Sequence, residues 1–179
     1  ITALKKQVKQ IVFLSVQGVE KSPVIPHNKI ERVIEASGLD YVFLRPSYFM
    51  QNLTTTLFDD LHAARKIILP AGKAVFNWVD VENIGEVAAI ILRQFNEFTN
   101  QKIELTGYEN KNFYEVADLL STVLRESIVY QDVNPLKFGF IKWRAGMKVG
   151  MIIVIIMLHY LQRFQKPPVI ADAYEKITG

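Results

Sequence analysis

The chain has 179 residues, enough for one domain or one domain with a small appendage. Half of the residues are hydrophobic and 22% are charged, the balance of a folded globular chain rather than a disordered one. It has no cysteine, three scattered histidines and a net charge of only +3; disulfides, thiolate sites and a cysteine nucleophile are excluded, no metal centre is expected, and nucleic-acid binding is not expected as the main activity.

Strand and helix signals then alternate along the sequence. Ile11-Val12-Phe13-Leu14-Ser15 is a short apolar run of the kind shown by strands buried on both faces. A loop with prolines at 23 and 26 follows, and Pro26 suits the first turn of a helix. From His27 the apolar residues Ile30, Val33 and Ile34 recur at helical spacing until Ser37-Gly38, where a glycine takes the left-handed position past the last turn. Tyr41-Val42-Phe43-Leu44 reads as a second buried strand, closed by Arg45-Pro46. The connection between the two runs is too long for a hairpin, so the strands are expected to be parallel, with their carboxyl ends on one edge.

Residues 48–66 read as mostly helical. Ile67-Ile68-Leu69 is a short candidate strand, 70–73 a turn, and 75–81 an extended segment carrying Trp78. Asn83, with Glu86 three residues on, is a capping-box start for a helix from Ile84 to about Phe95. Ile103 to Thr106 alternates like a strand. Asn112 can cap a helix over 113–124, with Val116, Leu119, Leu120 and Val123 on one face. Ile128-Val129-Tyr130 is a short strand, and 135–160 reads as helical before Pro167-Pro168. Within it, Val149 to Leu158 is an apolar run too short to span a bilayer, so a buried helix is the expectation.

This alternation predicts an α/β fold. A doubly wound nucleotide-binding domain contains two βαβαβ halves; about one half fits here, and the sequence has no Gly-rich phosphate loop. Three stretches carry a family resemblance: Val12-Phe13-Leu14-Ser15-Val16-Gln17-Gly18-Val19, Pro26-His27-Asn28-Lys29-Ile30-Glu31, and Ser37-Gly38-Leu39-Asp40-Tyr41-Val42-Phe43-Leu44-Arg45-Pro46. With Trp78-Val79-Asp80-Val81-Glu82-Asn83-Ile84-Gly85 and Leu158-His159-Tyr160, they resemble, in order and spacing, the NmrA-like family of atypical short-chain dehydrogenase/reductase proteins, over nearly the whole chain.

The resemblance implies the C-terminal half of a dinucleotide-binding doubly wound parallel sheet, plus a small mixed α/β substrate or partner region. Residues 1–95 would hold the Rossmann-like half with part of the substrate region, and 96–179 the small region. The family's Gly-rich N-terminal half would lie upstream of Ile1, and at about 30 residues per βαβ unit it would add some 60–100 residues. The family also usually continues past Gly179.

The implied cofactor is NAD(P), with NADP ahead of NAD. The implied activity is hydride transfer to a small carbonyl or quinone substrate. Alternatives are a non-catalytic redox-sensing regulator that binds a protein partner, or an inactive fragment lacking the phosphate-binding loop. In extended members of the superfamily a Tyr-x-x-x-Lys pair opens the helix after the first strand. Matching on Glu31 puts His27 at the lysine and Pro23 at the tyrosine, so the usual proton donor is missing. His27 is the candidate catalytic and ribose-contacting residue, since an imidazole exchanges protons near neutral pH; the plainer reading is a helix-start histidine bonded to backbone.

Ligands of open α/β sheets bind outside the carboxyl ends of the strands. Ser15, Val16 and Gln17 after the first strand, and Pro46, Ser47, Tyr48 and Phe49 after the second, are therefore the candidate cofactor-binding residues, beside a purely structural reading of Ser15. Phe49 and Asn52 are the candidate substrate-binding residues, an apolar wall with one amide. Arg45 reads as structural, reaching a carboxylate or backbone carbonyls. No membrane contact is expected, a homo-oligomer is compatible, and the absence of cysteine and of a signal peptide fits the cytoplasm.

Overall fold

The computed structural model describes residues 8–21 and 25–179; Lys5, Lys6 and Pro23 lie outside them. In chain order the elements are β1 (Gln10–Leu14), α1 (Pro26–Glu35), β2 (Asp40–Pro46), β3 (Tyr48–Phe49), α2 (Phe58–Ala64), β4 (Lys66–Leu69), β5 (Val75–Val79), α3 (Val81–Arg93), α4 (Phe95–Phe98), β6 (Gln101–Leu105), β7 (Asn110–Asn112), α5 (Phe113–Leu124), β8 (Val129–Asp132), α6 (Pro135–Arg144), α7 (Val149–Tyr160) and α8 (Ala173–Thr178). Short 3-10 turns cover Val19–Lys21, Met50–Leu53 and Leu161–Phe164. Two compact units result, each assembled from segments distant in sequence.

The first unit comprises Ile1–Phe49, Trp78–Tyr108 and Ile170–Gly179. Its centre is a parallel sheet in the order β1-β2-β6, with Leu14 opposite Leu44 and Leu44 opposite Ile103. The parallel β1–α1–β2 crossover is as the sequence predicts. Alternation sorts the strand side chains onto two faces. Val42, Leu44, Ile103 and Leu105 pack against Ile84, Val87 and Ile91 of α3 and Phe95. On the opposite face Phe13 meets Phe43 edge to face, and Phe43 stacks on Tyr41 at 4.3 Å.

Helix α1 starts on Pro26, whose missing N–H costs nothing at that position, and ends before Gly38, which sits at φ +73°. The stripe it buries is a correction to the sequence reading: Asn28 and Glu31 are buried, while Ile30 and Val33 are exposed. Asn28 Nδ2 donates to the Val19 carbonyl at 2.9 Å, and Glu31 is held by Arg45. Helix α3 also begins earlier than predicted. Asp80, not Asn83, caps it, accepting from the Glu82 N–H at 2.8 Å. The terminal helix α8 returns to α3, where Tyr174 Oη donates to Glu86 at 2.7 Å.

The second unit comprises Met50–Asn77 and Glu109–Val169. Here β4 and β8 pair in parallel, and Val75–Asn77 of β5 pairs antiparallel with β7. The mostly helical reading of 48–66 is corrected: only Phe58–Ala64 is α-helix, preceded by β3, a 3-10 turn and the threonine-rich turn. Threonines compete for local backbone bonds, and Thr54 and Thr55 both donate to the Gln51 carbonyl.

Asn112 caps α5 with a full capping box: its side chain accepts from the Tyr114 and Glu115 N–H groups, and Glu115 accepts from the Asn112 N–H. The buried face of α5 is Phe113, Val116 and Ala117, while Leu119 and Val123 are exposed, against expectation. Phe76, Phe113, Tyr130 and His159 form an aromatic cluster in this unit, with ring centroids 5.2–5.7 Å apart. The predicted helical stretch 135–160 is two helices, broken where Gly146 turns to φ +85°. Helix α7 is not the buried helix predicted: it buries only Ile152, Ile155 and His159.

Candidate nucleotide-binding edge

Three strand ends, Leu14, Pro46 and Leu105, meet at the carboxyl edge of the β1-β2-β6 sheet. The loops leaving them stay tied to the sheet. The Ser15 N–H donates to the Leu44 carbonyl at 2.7 Å, the Gln17 N–H to the Pro46 carbonyl at 2.9 Å, and the Ser47 N–H to the Leu105 carbonyl at 2.9 Å. The ladder therefore runs up to three residues past β1 and one residue past β2. Gln17 also donates through its side chain to Glu104 at 3.1 Å.

The structure thus brings Ser15, Val16, Gln17, Pro46 and Ser47 together on one edge. Tyr48 leaves the edge on β3, opposite Trp78, with the two rings edge to face at 4.8 Å. Phe49 packs on the hydrophobic core of the first unit. Asn52 lies in the 3-10 turn of the second unit, where its carbonyl accepts from the Leu57 N–H.

His27 lies in the first turn of α1, half-buried, with its ring 6.0 Å from that of Phe13. It therefore stands on the same face of the sheet as Ser15, two residues along β1 from Phe13. Ser15 Oγ is buried and makes no hydrogen bond of ordinary geometry among the described residues.

Below this edge lies a buried ion pair. Arg45 donates to both oxygens of Glu31, from Nε at 3.0 Å and from Nη2 at 2.6 Å, and from Nη1 to Glu20 at 3.3 Å. Burial alone would raise the Glu31 carboxyl, but the bonds from Arg45, the nearby Ser15 hydroxyl, and the charges of Arg45 and Lys102 outweigh it and hold the carboxyl below its ordinary range. The hydrogen bonds to Glu31 in turn raise Arg45. Arg45 is structural, as its sequence reading has it: it ties the end of β2 to α1.

The sequence reading missed the Thr106–Tyr108 segment after β6. A cleft of about 360 Å³ there is lined by Thr106, Gly107, Tyr108, Ala171, Asp172 and Tyr174. Thr106 Oγ1 and the Ala171 backbone exchange two hydrogen bonds, at 3.0 and 2.9 Å. A Cβ on Gly107 would stand 1.8 Å from the Trp78 carbonyl oxygen, so only glycine fits. The available signal was a glycine directly behind a predicted strand, which marks close backbone approach.

A parallel sheet with helices on both faces and its loops gathered at the carboxyl edge defines an α/β half-sheet of Rossmann-like fold. The sequence profile of the NmrA-like family matches residues 2–166, and the chain belongs to that family. Prestalk A differentiation protein A of Dictyostelium discoideum is 32% identical over 134 residues, which cover 75% of this chain and 43% of that protein. Among solved structures, an NADPH-dependent quinone oxidoreductase of Escherichia coli superposes with a TM-score of 0.86 at 18% identity, covering 98% of this chain and 64% of the other. NmrA, a negative transcriptional regulator solved in complex with NADP, superposes with a TM-score of 0.66 at 16% identity, covering 97% and 62%. The chain spans about half the length of the curated relatives it matches.

Proposed function

We propose that this chain supplies the nicotinamide side of a dinucleotide site, for NADP ahead of NAD, in a reductase acting on a small carbonyl or quinone. The observation that carries the reading is the convergence of three carboxyl strand ends, two of them with loops bonded back to the sheet, and a half-buried histidine on the Ser15 face. The residues fit the nicotinamide and its ribose: a buried serine hydroxyl beside the Glu31 carboxylate, a half-buried imidazole on the same face of the sheet, and loop backbone tied to the strands. They do not supply a diphosphate cradle, because the sequence has no Gly-rich loop. The NADPH-dependent and NADP-bound neighbours support the choice of cofactor.

The nicotinamide, when bound, supplies the hydride. His27 both donates and accepts hydrogen bonds through its two ring nitrogens, which suits it to a pair of ribose hydroxyls. Ser15, Val16 and Gln17 on one loop and Pro46 and Ser47 on the other form the walls that position the ring, while Tyr48 and Phe49, expected beside them, are turned toward Trp78 and the core. A second reading, a dinucleotide-sensing regulator with a protein partner, is favoured by Pro23, which has no proton to give where related enzymes carry a tyrosine.

The test is nuclear magnetic resonance titration of the 179-residue chain with reduced nicotinamide mononucleotide, and separately with adenosine monophosphate. The mononucleotide should shift the amides of 15–17, 27 and 47–48, and the adenosine nucleotide should not. Shifts confined to other residues, or equal responses to both ligands, would overturn the assignment.

A further inference from the structure

Helices α6 and α7 form a packed pair within the second unit, with Gly139 facing Ile152 and Ile156. Their outer surfaces are apolar to a degree that an ordinary water-facing helix is not. On α6, Leu136 is 86% exposed, and Phe140 and Trp143 follow at the spacing of one helical stripe. On α7, Met151, Val154 and Leu158 make a second exposed stripe, continued by Leu161, and Val149, Ile153 and Met157 a third, with Phe164 exposed just beyond. Large contiguous apolar surface of this kind marks an interaction site.

The charges around it select the partner. From Val133 to Ala171 the sequence contains no aspartate or glutamate and six of its 21 basic residues: Lys137, Lys142, Arg144, Lys148, Arg163 and Lys166. All 18 acidic residues lie elsewhere. Lys142 is buried against Asp60, and Arg163 stands 3.7 Å from Asp132. Lys137, Arg144, Lys148 and Lys166 are exposed. A partner for this surface therefore offers an apolar interior and a negative rim.

We infer that the α6–α7 pair is an in-plane docking surface for the face of an anionic phospholipid bilayer. Aromatic and aliphatic side chains with interspersed Lys and Arg are the chemistry of helices that lie in the headgroup boundary. Trp143 supplies the ring that settles at that level. Twelve residues of α7 reach only about 18 Å at 1.5 Å each, short of the ~30 Å hydrocarbon core, which excludes spanning and leaves the in-plane mode. No helix among the described residues is long and apolar enough to cross. The inference runs against the sequence expectation of no membrane contact and is independent of the dinucleotide reading.

The experiment is vesicle co-sedimentation of the 179-residue chain, with tryptophan emission as a second readout. Vesicles are phosphatidylcholine alone or with roughly a third phosphatidylserine, enough for a negative surface potential. Trp143 is 60% exposed and should shift to the blue on binding, whereas Trp78 is already buried. Serine-lipid vesicles should bind at least about tenfold more tightly than neutral ones, and roughly 0.5 M salt should remove most of that difference. Each of Lys137→Glu, Arg144→Glu and Lys148→Glu should weaken binding by about fivefold or more. Leu136→Ser and Phe140→Ser should abolish the blue shift while the charge variants only weaken it. All five positions are exposed, and circular dichroism confirms the fold of each variant. Equal binding to neutral and anionic vesicles, no binding to either, or a dimer in which Trp143 is already shielded would overturn the proposal, the last identifying a second copy of this chain as the occupant.

Discussion

Glu31→Gln is the sharpest perturbation of the sheet edge. The side chains of Glu31 and Arg45 are 5% and 9% exposed, and the variant leaves the guanidinium buried with its bidentate carboxylate gone. Removing one partner of a buried ion pair costs about 3–5 kcal/mol. Glu20 still reaches Arg45 at 3.3 Å but is half-exposed, so the cost should fall near the lower end, about 3 kcal/mol. With a urea slope of about 2 kcal/mol/M for a chain of this size, the unfolding midpoint should drop by about 1.5 M at pH 7.

The pH dependence follows from the depressed Glu31 carboxyl. The unfolded chain protonates it first, so its contribution is full above the ordinary value of 4.5 and is lost as pH falls through the lower folded value. The gap between wild type and Glu31→Gln should therefore narrow below pH 4.5. The double variant Glu31→Leu/Arg45→Met should recover most of the loss, since two matched apolar residues leave no unpaired charge. A single variant within about 0.5 kcal/mol of wild type, or a double variant no better than the single, would refute the account of the pair as a buried tie between β2 and α1.

Gly107→Ala should destabilise by more than about 3 kcal/mol or prevent folding, because its Cβ would meet the Trp78 carbonyl oxygen, whereas Gly38→Ala has open space and should cost only about 1–2 kcal/mol of left-handed strain; chemical denaturation compares the two. His159 is 3% exposed, and burial pushes its imidazole down to about 4. The folded state stays neutral while the unfolded state takes up the proton, so stability should fall by about 3 kcal/mol between pH 6.5 and 4, and His159→Leu should flatten that slope. Asn112→Ala should cost about 1 kcal/mol through loss of the α5 cap, read as a drop in the urea midpoint. His27→Ala should weaken binding of reduced nicotinamide mononucleotide by about 0.5–1.5 kcal/mol in the same resonance titration; unchanged affinity would leave it a helix-start residue. NADPH should bind the chain no more than about tenfold more tightly than the mononucleotide, because the diphosphate has no helix N-terminus with a Gly-rich loop to rest on; fluorescence titration finding micromolar affinity would contradict this.

Local patterns by themselves determined the α/β class, the parallel β1–α1–β2 crossover, the loops that follow β1 and β2, and the Asn112 cap. Each depends on a run of four to eight residues and a turn signal, which is the range over which backbone propensity and capping act. What only the tertiary structure decided lies where local signals tie or where distant residues meet. Asp80 and Asn83 are both competent caps, and the helix follows directly on β5, so the earlier one is used. The period of α1 marks an apolar stripe at Ile30 and Val33, yet Glu31 faces inward because Arg45, 14 residues away on β2, needs its carboxylate. Helix α7 is apolar all round, so its period selects no inward face; α6 meets it at Ile152 and the rings of Phe76 and Phe113 take His159, while most of the remaining apolar side chains stay outside. Gly107 and Trp78 are 29 positions apart, and the need for glycine exists only because the folded chain brings their backbones together. A sequence window registers which faces a segment can offer, but burial is settled by which partner arrives, and that is a property of the whole chain.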